Sequence, residues 1–360
     1  MSEVATEVRG GAGLITLDRP RALNALSLQM VRDLTAVLLA WREDSRVERV
    51  AIRGTGKEGP FGAFCAGGDI RFFHQAALAG DPRLEDFFTE EYTLNHLIHG
   101  YPKPYIVFMD GIVMGGGMGI SAHGGDTSLR VATERTKMAM PETNIGLFPD
   151  VGGGWFLARC PGRLGEYLAL TGHVINGADA VAARLADGLM PAAELPAAWD
   201  ALAQPEGFER LRERLARTAA PDGELAAQRA RIDRFFGLAT VGEIVAALEA
   251  DGGDWAAQTA ALLRKRSPLM LHVTLEHVRR ARHMTLAEDL RMERDLVRHC
   301  FQLRPGAASE TVEGIRALAV DKDHAPRWNP GRIEEVEPAA VAAFFVSPWP
   351  RHAHPLRELA

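Results

Sequence analysis

The 360-residue chain is 47% hydrophobic and 24% charged, a composition that is ordinary for a soluble globular protein and excludes a disordered or fibrous chain. Its formal net charge of −6 argues against nucleic acid as the main partner, because proteins that bind nucleic acids usually concentrate lysine and arginine. The three cysteines lack metal-ligand spacing and the histidines are scattered, so we expect neither a disulfide framework nor a metal site.

No run of the sequence reaches the roughly 18 to 20 apolar residues that a membrane-spanning helix needs. The first ten residues mix charged and small side chains and lack the apolar centre of a secretory signal. We therefore expect no membrane partner, and the predicted location is the cytoplasm.

The first half of the chain alternates short apolar runs with amphipathic helical patterns. Strands are predicted at residues 14–17, 50–53, 105–110 and 128–132. Residues 27–41 carry apolar side chains on one helical face, with Ser27 as the N-cap. Residues 84–98 form a second helical pattern with Glu90 and Glu91 near its middle. This alternation predicts an α/β fold.

Beyond about residue 190, strand-like runs nearly vanish and helical periods dominate. The clearest helical patterns cover residues 259–265, 271–282 and 286–303, with Thr285 as the N-cap of the last. We therefore expect a core at residues 1–195 and a helical C-terminal region with an irregular tail at residues 196–360.

Two glycine-rich segments follow predicted strands, namely residues 64–70 (FCAGGDI) and 114–119 (MGGGMG). Glycine lets a ligand approach the backbone closely, and free amides at the start of a helix suit an anionic oxygen. Such amides would stabilise the oxyanion formed when a thioester carbonyl is attacked or enolised. The alternative is that these glycines serve tight turns and close packing only. Neither segment matches a phosphate loop or a dinucleotide fingerprint.

A third segment, residues 140–155, sets Glu142 and Asp150 in an apolar turn rich in glycine and proline. Partial burial of two nearby carboxylates pushes their pKa values apart, which gives one acid and one base for proton transfer. The alternative is that each carboxylate caps a helix or lies in solvent, and Asp150 before three glycines is a plausible cap.

These segments, in this order, resemble the crotonase superfamily. The resemblance is carried by residues 19–26 (RPRALNAL), 64–70, 115–117 and 141–142. Fuller runs resemble the 3-hydroxyisobutyryl-CoA hydrolases within it, at residues 90–92, 103–105, 140–142, 146–154, 313–317 and 321–323. The resemblance covers nearly the whole chain and implies a ββα spiral core followed by a C-terminal helical region.

The resemblance also implies roles for particular residues. The amides of Gly68 and Gly116 would form an oxyanion hole, Glu142 would be the principal catalytic carboxylate, and Asp150 and Glu91 would orient the 3-hydroxyl and water in the acyl pocket. Backbone contacts to the nucleotide end of coenzyme A would come from Arg21, Ala22, Leu23, Ala66, Gly67 and Gly68.

The expected reaction is hydrolysis of a short 3-hydroxyacyl-CoA, such as 3-hydroxyisobutyryl-CoA in valine catabolism, with 3-hydroxypropionyl-CoA left open. Glu142 would act as general base or as nucleophile through a mixed anhydride. Coenzyme A is part of the substrate, and no separate cofactor is expected. Hydratases of the superfamily usually carry a glutamate where this chain has Gly119, which disfavours their chemistry.

Two alternatives to the hydrolase remain. One is an enoyl-CoA hydratase or isomerase, and the other is a non-catalytic acyl-CoA-binding protein that keeps the fold. The oligomeric state is open: a homo-oligomer built through C-terminal helices and a monomer are both expected outcomes.

Overall fold

The computed structural model describes residues 2–121, 127–218 and 223–360. These residues form nine strands: β1 Val4–Arg9, β2 Ala12–Leu17, β3 Arg49–Gly56, β4 Gly59–Pro60, β5 Tyr105–Met109, β6 Ile112–Met114, β7 Ser128–Ala132, β8 Lys137–Ala139 and β9 Gly188–Leu189. They also form sixteen α-helices: α1 Leu28–Glu43, α2 Ile70–Ala79, α3 Arg83–His99, α4 Gly116–Gly119, α5 Gly153–Ala158, α6 Leu164–Thr171, α7 Gly177–Ala182, α8 Leu195–Ala201, α9 Gly207–Arg217, α10 Glu224–Phe236, α11 Val241–Asp251, α12 Asp254–Leu263, α13 Pro268–Ala281, α14 Leu286–Gln302, α15 Glu310–Ile315 and α16 Pro338–Phe344.

The main sheet has the strand order β1-β2-β3-β5-β7-β9, with β4 paired to the end of β3. Strands β1 and β2 are antiparallel, whereas the remaining neighbours along this order are parallel. Ile52 of β3 lies opposite Ile15 of β2 and Val107 of β5. Every residue of β5 is buried, as expected for a parallel strand covered on both faces.

A second, two-stranded sheet pairs β6 with β8 in parallel. Isolated bridges extend it on both sides, from Cys65 to Val113 and from Met138 to Ile175. The first of these bridges places the glycine-rich loop that follows Cys65 next to the strand that leads into α4.

The chain divides into two compact units, each built from three segments of the sequence. Unit 1 comprises the residues up to 68 together with 94–139 and 174–227, and unit 2 comprises 69–93, 140–173 and 228–360. Each unit contains residues from both sides of position 195, where the sequence predicts a division. That division stays a prediction.

The core of unit 1 packs helices α8 and α9 against the main sheet. Trp199 of α8 lies edge-on to Phe61 and Phe108, with ring centroids 6.2 Å and 5.7 Å away. Leu211 and Leu215 of α9 belong to the same buried cluster. Residues on both sides of position 195 therefore share one hydrophobic core.

Unit 2 is built mainly from helices. Helix α13 packs against α5 and α6, and α14 packs against α5 and α15. The buried stripe of α13 includes Leu271, Val278 and the imidazole of His277. This arrangement brings polar side chains of α13 and α14 against the N-terminus of α5.

Several sequence predictions are confirmed at the level of elements. Ser27 caps α1 by accepting a hydrogen bond from the Met30 amide at 3.2 Å, and Thr285 forms a capping box with Glu288 at the start of α14. Strand β1 was missing from the prediction because, of its six residues, only Val4 is buried. Among the described residues, none of the helices is both long and apolar enough to cross a membrane.

Candidate active site

The two glycine-rich loops of unit 1 lie against each other. Gly67 has φ +106°, and a Cβ atom there would lie 3.2 Å from the Met114 carbonyl oxygen and 3.6 Å from the Gly116 nitrogen. A Cβ atom on Gly117 would lie 2.3 Å from the Cys65 carbonyl oxygen. The glycines thus permit close packing, as the alternative interpretation held, and this packing brings the two backbone segments together.

The Gly68 and Gly116 amides have geometries that suit a ligand. Gly68 pairs with Leu26 in a parallel bridge, in which Leu26 donates to the Gly67 carbonyl at 2.7 Å and the Gly68 N–H points to the other side. Gly116 is the first residue of α4, where an amide has no partner within the helix. Within the described part of the chain, neither amide donates to another backbone carbonyl. Both can therefore donate to a developing oxyanion.

The residues predicted to hold coenzyme A lie in the first glycine-rich loop and in the turn beside it. Leu23 has φ +51° and its carbonyl accepts a hydrogen bond from the Ala66 amide at 3.0 Å. The Asn24 side chain donates to the carbonyls of Thr55 and Ala63, both at 3.0 Å. The turn at 20–23, which contains Arg21 and Ala22, is therefore fixed beside Ala66, Gly67 and Gly68, with Arg21 exposed at its edge.

Unit 2 holds the predicted carboxylates. Glu142 is the first residue of a 3₁₀ turn, Glu142–Ile145, and is 7% exposed. Its neighbour Thr143 is fixed on both sides: its hydroxyl donates to the Leu170 carbonyl at 3.1 Å, and its own carbonyl accepts from the Ser267 amide at 3.2 Å. Among the described residues, Glu142 Oε2 has no hydrogen-bond partner. A buried acceptor without a protein partner needs an explanation, and a catalytic or binding role is one.

Asp150 is not a helix cap. Helix α5 begins after Gly152, which supplies no side-chain cap, and the Asp150 carboxylate instead accepts a hydrogen bond from the Tyr92 hydroxyl at 2.7 Å. Glu91, the neighbour of Tyr92 on α3, is 2% exposed, and its Oε1 has no partner among the described residues. Helix α3 and the turn before α5 thus contribute adjacent acidic groups to unit 2.

Burial dominates the electrostatics of these groups. It raises the pKa of Glu142 well above its usual value, and the charge of Asp150 raises it further. The pKa of Glu91 rises for the same two reasons, with Glu142 adding to the effect. Burial also raises the pKa of Asp150, but the hydroxyl of Tyr92 opposes this rise and holds it at about 6. Burial thus raises the pKa of all three groups, and the separation of acid and base roles between Glu142 and Asp150 stays a prediction.

Three further buried groups were not found from the sequence. His277 Nε2 lies 3.1 Å from Asp289 Oδ1 and 3.3 Å from Glu293 Oε1, and all three side chains are fully buried. Burial lowers the pKa of His277, but the two carboxylates outweigh it and raise that pKa to about 9. The imidazole thus lies between two carboxyl groups that favour its protonated form.

His277, Asp289 and Glu293 are also the one set of described side chains close enough together to bind a metal ion, with ligand atoms within 4.8 Å of one another. The carboxylate oxygens of Asp289 and Glu293 also accept hydrogen bonds from the backbone amides of Gly152, Gly154 and Trp155, so they already have partners within the protein. The expectation of no metal site stays a prediction.

A sequence signal for this group exists. Asp289 and Glu293 are four residues apart on α14, between the buried Leu286, Leu290 and Leu296. Two acids on the apolar stripe of a helix indicate a buried polar role. Their partners could not be read from the sequence, because α5 precedes α14 by about 130 positions and no local pattern links the two.

Fold and site together define a crotonase-type protein. The chain matches the enoyl-CoA hydratase/isomerase family over residues 12–345 and belongs to that family. A crystal structure of a carnitinyl-CoA dehydratase from Mycobacterium thermoresistibile is 40% identical, with a TM-score of 0.89 and 99% coverage of both chains. That of an enoyl-CoA hydratase from Rhodobacter sphaeroides 2.4.1 is 39% identical, with a TM-score of 0.87, over 96% of this chain and 98% of that one. The predicted superfamily and α/β fold class are confirmed.

Other relatives are named as hydrolases, and not as hydratases or dehydratases. The mitochondrial 3-hydroxyisobutyryl-CoA hydrolase of Gallus gallus is 40% identical over 96% of this chain and 89% of its own length. The corresponding protein of Xenopus tropicalis is 41% identical over 94% and 87%. The probable 3-hydroxyisobutyryl-CoA hydrolase 3 of Arabidopsis thaliana is 37% identical over 96% and 91%.

Proposed function

We propose that the protein hydrolyses the thioester bond of a short 3-hydroxyacyl-CoA, with 3-hydroxyisobutyryl-CoA as its substrate. The observation that carries this proposal is the distribution of acids. Helix α4 has a glycine at position 119, whereas Glu91, Glu142 and Asp150 are buried in unit 2. The relatives named as 3-hydroxyisobutyryl-CoA hydrolases, about 40% identical over most of the chain, support the same reaction.

The chemistry requires an attacking oxygen, a charge sink and a proton for the leaving thiolate. The amides of Gly68 and Gly116 stabilise the tetrahedral oxyanion. Glu142 either removes a proton from water as the water attacks the carbonyl carbon, or attacks that carbon itself. In the second route the C–S bond breaks, coenzyme A leaves as the thiolate, and water then opens the resulting anhydride and supplies the proton that the thiolate takes up. In the first route the C–S bond breaks as the tetrahedral intermediate collapses, and the proton held by Glu142 passes to the thiolate sulfur.

The substrate's hydroxyl has a partner of its own in this scheme. Asp150 accepts a hydrogen bond from the 3-hydroxyl, while Glu91 orients that hydroxyl and water. The turn at 20–23 and residues 66–68 hold the nucleotide end of coenzyme A. No separate cofactor, nucleic acid or membrane takes part. The cytoplasmic location and a homo-oligomeric state remain proposals, and the vertebrate relatives are named as mitochondrial.

The test incubates the protein separately with 3-hydroxyisobutyryl-CoA and with crotonyl-CoA. Free thiol is followed with a thiol reagent, and the conjugated thioester is followed by its absorbance. We expect thiol release from the hydroxyacyl substrate. Absorbance loss without thiol release would instead identify a hydratase, and neither signal would identify a binding protein.

The hydratase is the second candidate because two solved structures, each about 40% identical, are described as a dehydratase and a hydratase. The discriminating feature is Gly119, where the hydratases of the superfamily usually carry a glutamate. Gly119→Glu provides a check. If the site differs from that of a hydratase only in lacking this glutamate, the variant should gain crotonyl-CoA hydration.

A further inference from the structure

The turn that follows Asp150 has an unusual backbone. Val151 has φ +57° and Gly152 has φ +82°, so two consecutive residues adopt the left-handed conformation. A β-branched residue rarely adopts this conformation, because its side chain then crowds its own backbone. Such a residue persists only where its surroundings hold it in place.

Carboxylates from α14 hold this turn. Glu293 accepts hydrogen bonds from the amides of Gly152 at 2.7 Å and Gly154 at 3.1 Å, using one oxygen for each. Asp289, one helical turn earlier, accepts from the Trp155 amide at 2.7 Å. The first turn of α5, which lacks a side-chain cap of its own, is therefore capped by another helix.

His277 completes the arrangement from α13. Its Nε2 lies within 3.3 Å of an oxygen of both Asp289 and Glu293. A Cβ atom on Gly154 would lie 2.2 Å from that nitrogen, so only glycine lets the α5 backbone approach the imidazole this closely. The ring of Phe148 meets the imidazole edge-on, with centroids 5.2 Å apart. The imidazole is thus held between the two carboxylates, the α5 backbone and the ring of Phe148.

We propose that Glu293 is a positioning residue for Asp150. By binding the amides on either side of Gly153, it fixes Val151 in its left-handed conformation and so sets the direction of the Asp150 carboxylate. His277 keeps Glu293 in place. As far as it concerns the substrate hydroxyl, this inference rests on the proposed hydrolysis of a 3-hydroxyacyl-CoA.

The experiment is a double-mutant cycle between Glu293→Gln and Asp150→Asn. Glutamine keeps the volume of glutamate but replaces one acceptor oxygen with an NH₂ group, which cannot accept from a backbone amide. Thiol release from 3-hydroxyisobutyryl-CoA gives kcat and KM for the wild type, both single variants and the double variant.

In the wild-type background we expect Glu293→Gln to lower kcat by about 10 to 100-fold, with KM changed by less than about 3-fold, because a small misplacement of a group that orients the substrate has effects of this size. In the Asp150→Asn background the same substitution should lower kcat by less than about 3-fold, because the two residues act as one unit. An equal loss in both backgrounds, or an unchanged kcat in the single variant, overturns the inference.

Glu166→Gln is the matched control. Glu166 on α6 is a fully buried glutamate of the same unit, and it pairs with Arg163 at 2.7 Å and Arg282 at 2.9 Å. Its substitution removes a buried charge without touching the turn after Asp150. We expect a lower Tm but a kcat within about 2-fold of the wild type. A kcat loss equal to that of Glu293→Gln would assign the effect to general destabilisation and overturn the inference.

Hydrogen exchange provides a readout that does not depend on activity. We expect the amides of residues 150–155 to exchange at least about 10-fold faster in Glu293→Gln than in the wild type, and to be unchanged in Glu166→Gln. Unchanged exchange in both variants overturns the inference. Absence of thiol release from the wild type would instead refute the proposed function, and the exchange measurement would still test the inference. If Glu293→Gln does not fold, His277→Gln enters the same cycle under the same criteria.

Discussion

At the scale of single residues, the site depends on carboxylates that resist ionisation to different degrees. Asp150 accepts a hydrogen bond from Tyr92, whereas Glu142 Oε2 has no partner among the described residues. Burial raises the pKa of both, and hydrogen bonds oppose the rise in each: a backbone hydrogen bond for Glu142, and chiefly the Tyr92 hydroxyl for Asp150. Their different surroundings fit the different tasks proposed for them, with Asp150 binding a hydroxyl and Glu142 exchanging protons.

Glu142→Gln should lower kcat by about 10² to 10⁴-fold, the range that removal of a general base or acid usually produces. Affinity for the substrate should change little, because glutamine keeps the shape of the side chain. Single-turnover thiol release and calorimetric binding of the substrate measure the two quantities. Near-normal turnover in this variant would exclude both the water route and the anhydride route.

Asp150→Asn should weaken the preference for a 3-hydroxyl. A hydrogen bond to a charged group contributes roughly 1.5 to 3 kcal/mol, so the ratio of kcat/KM between 3-hydroxyisobutyryl-CoA and isobutyryl-CoA should fall by about 10 to 100-fold. Glu276→Gln, on an exposed part of α13, is the control and should leave the ratio unchanged. A ratio preserved in Asp150→Asn would remove this residue from hydroxyl recognition.

The pH profile follows from the same pair. Glu142 must be ionised to act as base or nucleophile, and burial raises its pKa, so kcat/KM should fall as the pH drops. Asp150 contributes to the same acid limb, because burial raises its pKa to about 6 against the effect of Tyr92, and its anion is the stronger acceptor for the substrate hydroxyl. Because the Tyr92 hydroxyl lowers that pKa, Tyr92→Phe should move the acid limb to higher pH. Initial rates between pH 5 and 8 test this, and a limb that moves to lower pH in the variant would contradict it.

At the scale of elements, the proposed oxyanion hole depends on how closely α4 approaches the loop after Cys65. Ser27 and Thr285 cap their helices as their sequence patterns predict, because an N-cap is a local interaction. The contact between the two glycine loops is not local. From the sequence, the glycines predict only that a close approach is possible. The bridge from Cys65 to Val113 shows that the loops do lie together, and the oxyanion role of their amides stays a prediction.

Gly117→Ala should disrupt this contact, since its Cβ atom would meet the Cys65 carbonyl oxygen at 2.3 Å. Both elements would have to move apart, and the loss of one oxyanion donor costs about 10² to 10³-fold in kcat. Gly242→Ala is the matched control, because the nearest neighbour of its new Cβ atom, on α11, lies 3.9 Å away. Steady-state thiol release compares the two, and similar activities would contradict the role assigned to the close approach.

At the scale of the whole molecule, the sequence predicts well where its signals are local or carried by motifs. Four strands and the capped helices follow from periodicity, and the crotonase resemblance indicated the fold class and the glycine loops. The division at residue 195 followed a change in composition, but composition does not show which face a helix buries. Trp199 and Leu215, beyond that position, pack in the same core as the strands. His277 and Glu293 were missed because their partners are distant in the chain.

The capping of α5 by α14 has a consequence for the order in which the protein is made. The ribosome synthesises Asp150 well before Glu293, so the nascent chain contains the strands of the main sheet long before the groups that fix the Asp150 turn. Until α14 emerges, the amides of Gly152 and Gly154 lack the Glu293 carboxylate that accepts their hydrogen bonds. Under the role proposed for Asp150, formation of the main sheet and the onset of hydroxyl recognition are therefore separate events, and the second waits for the C-terminal helices.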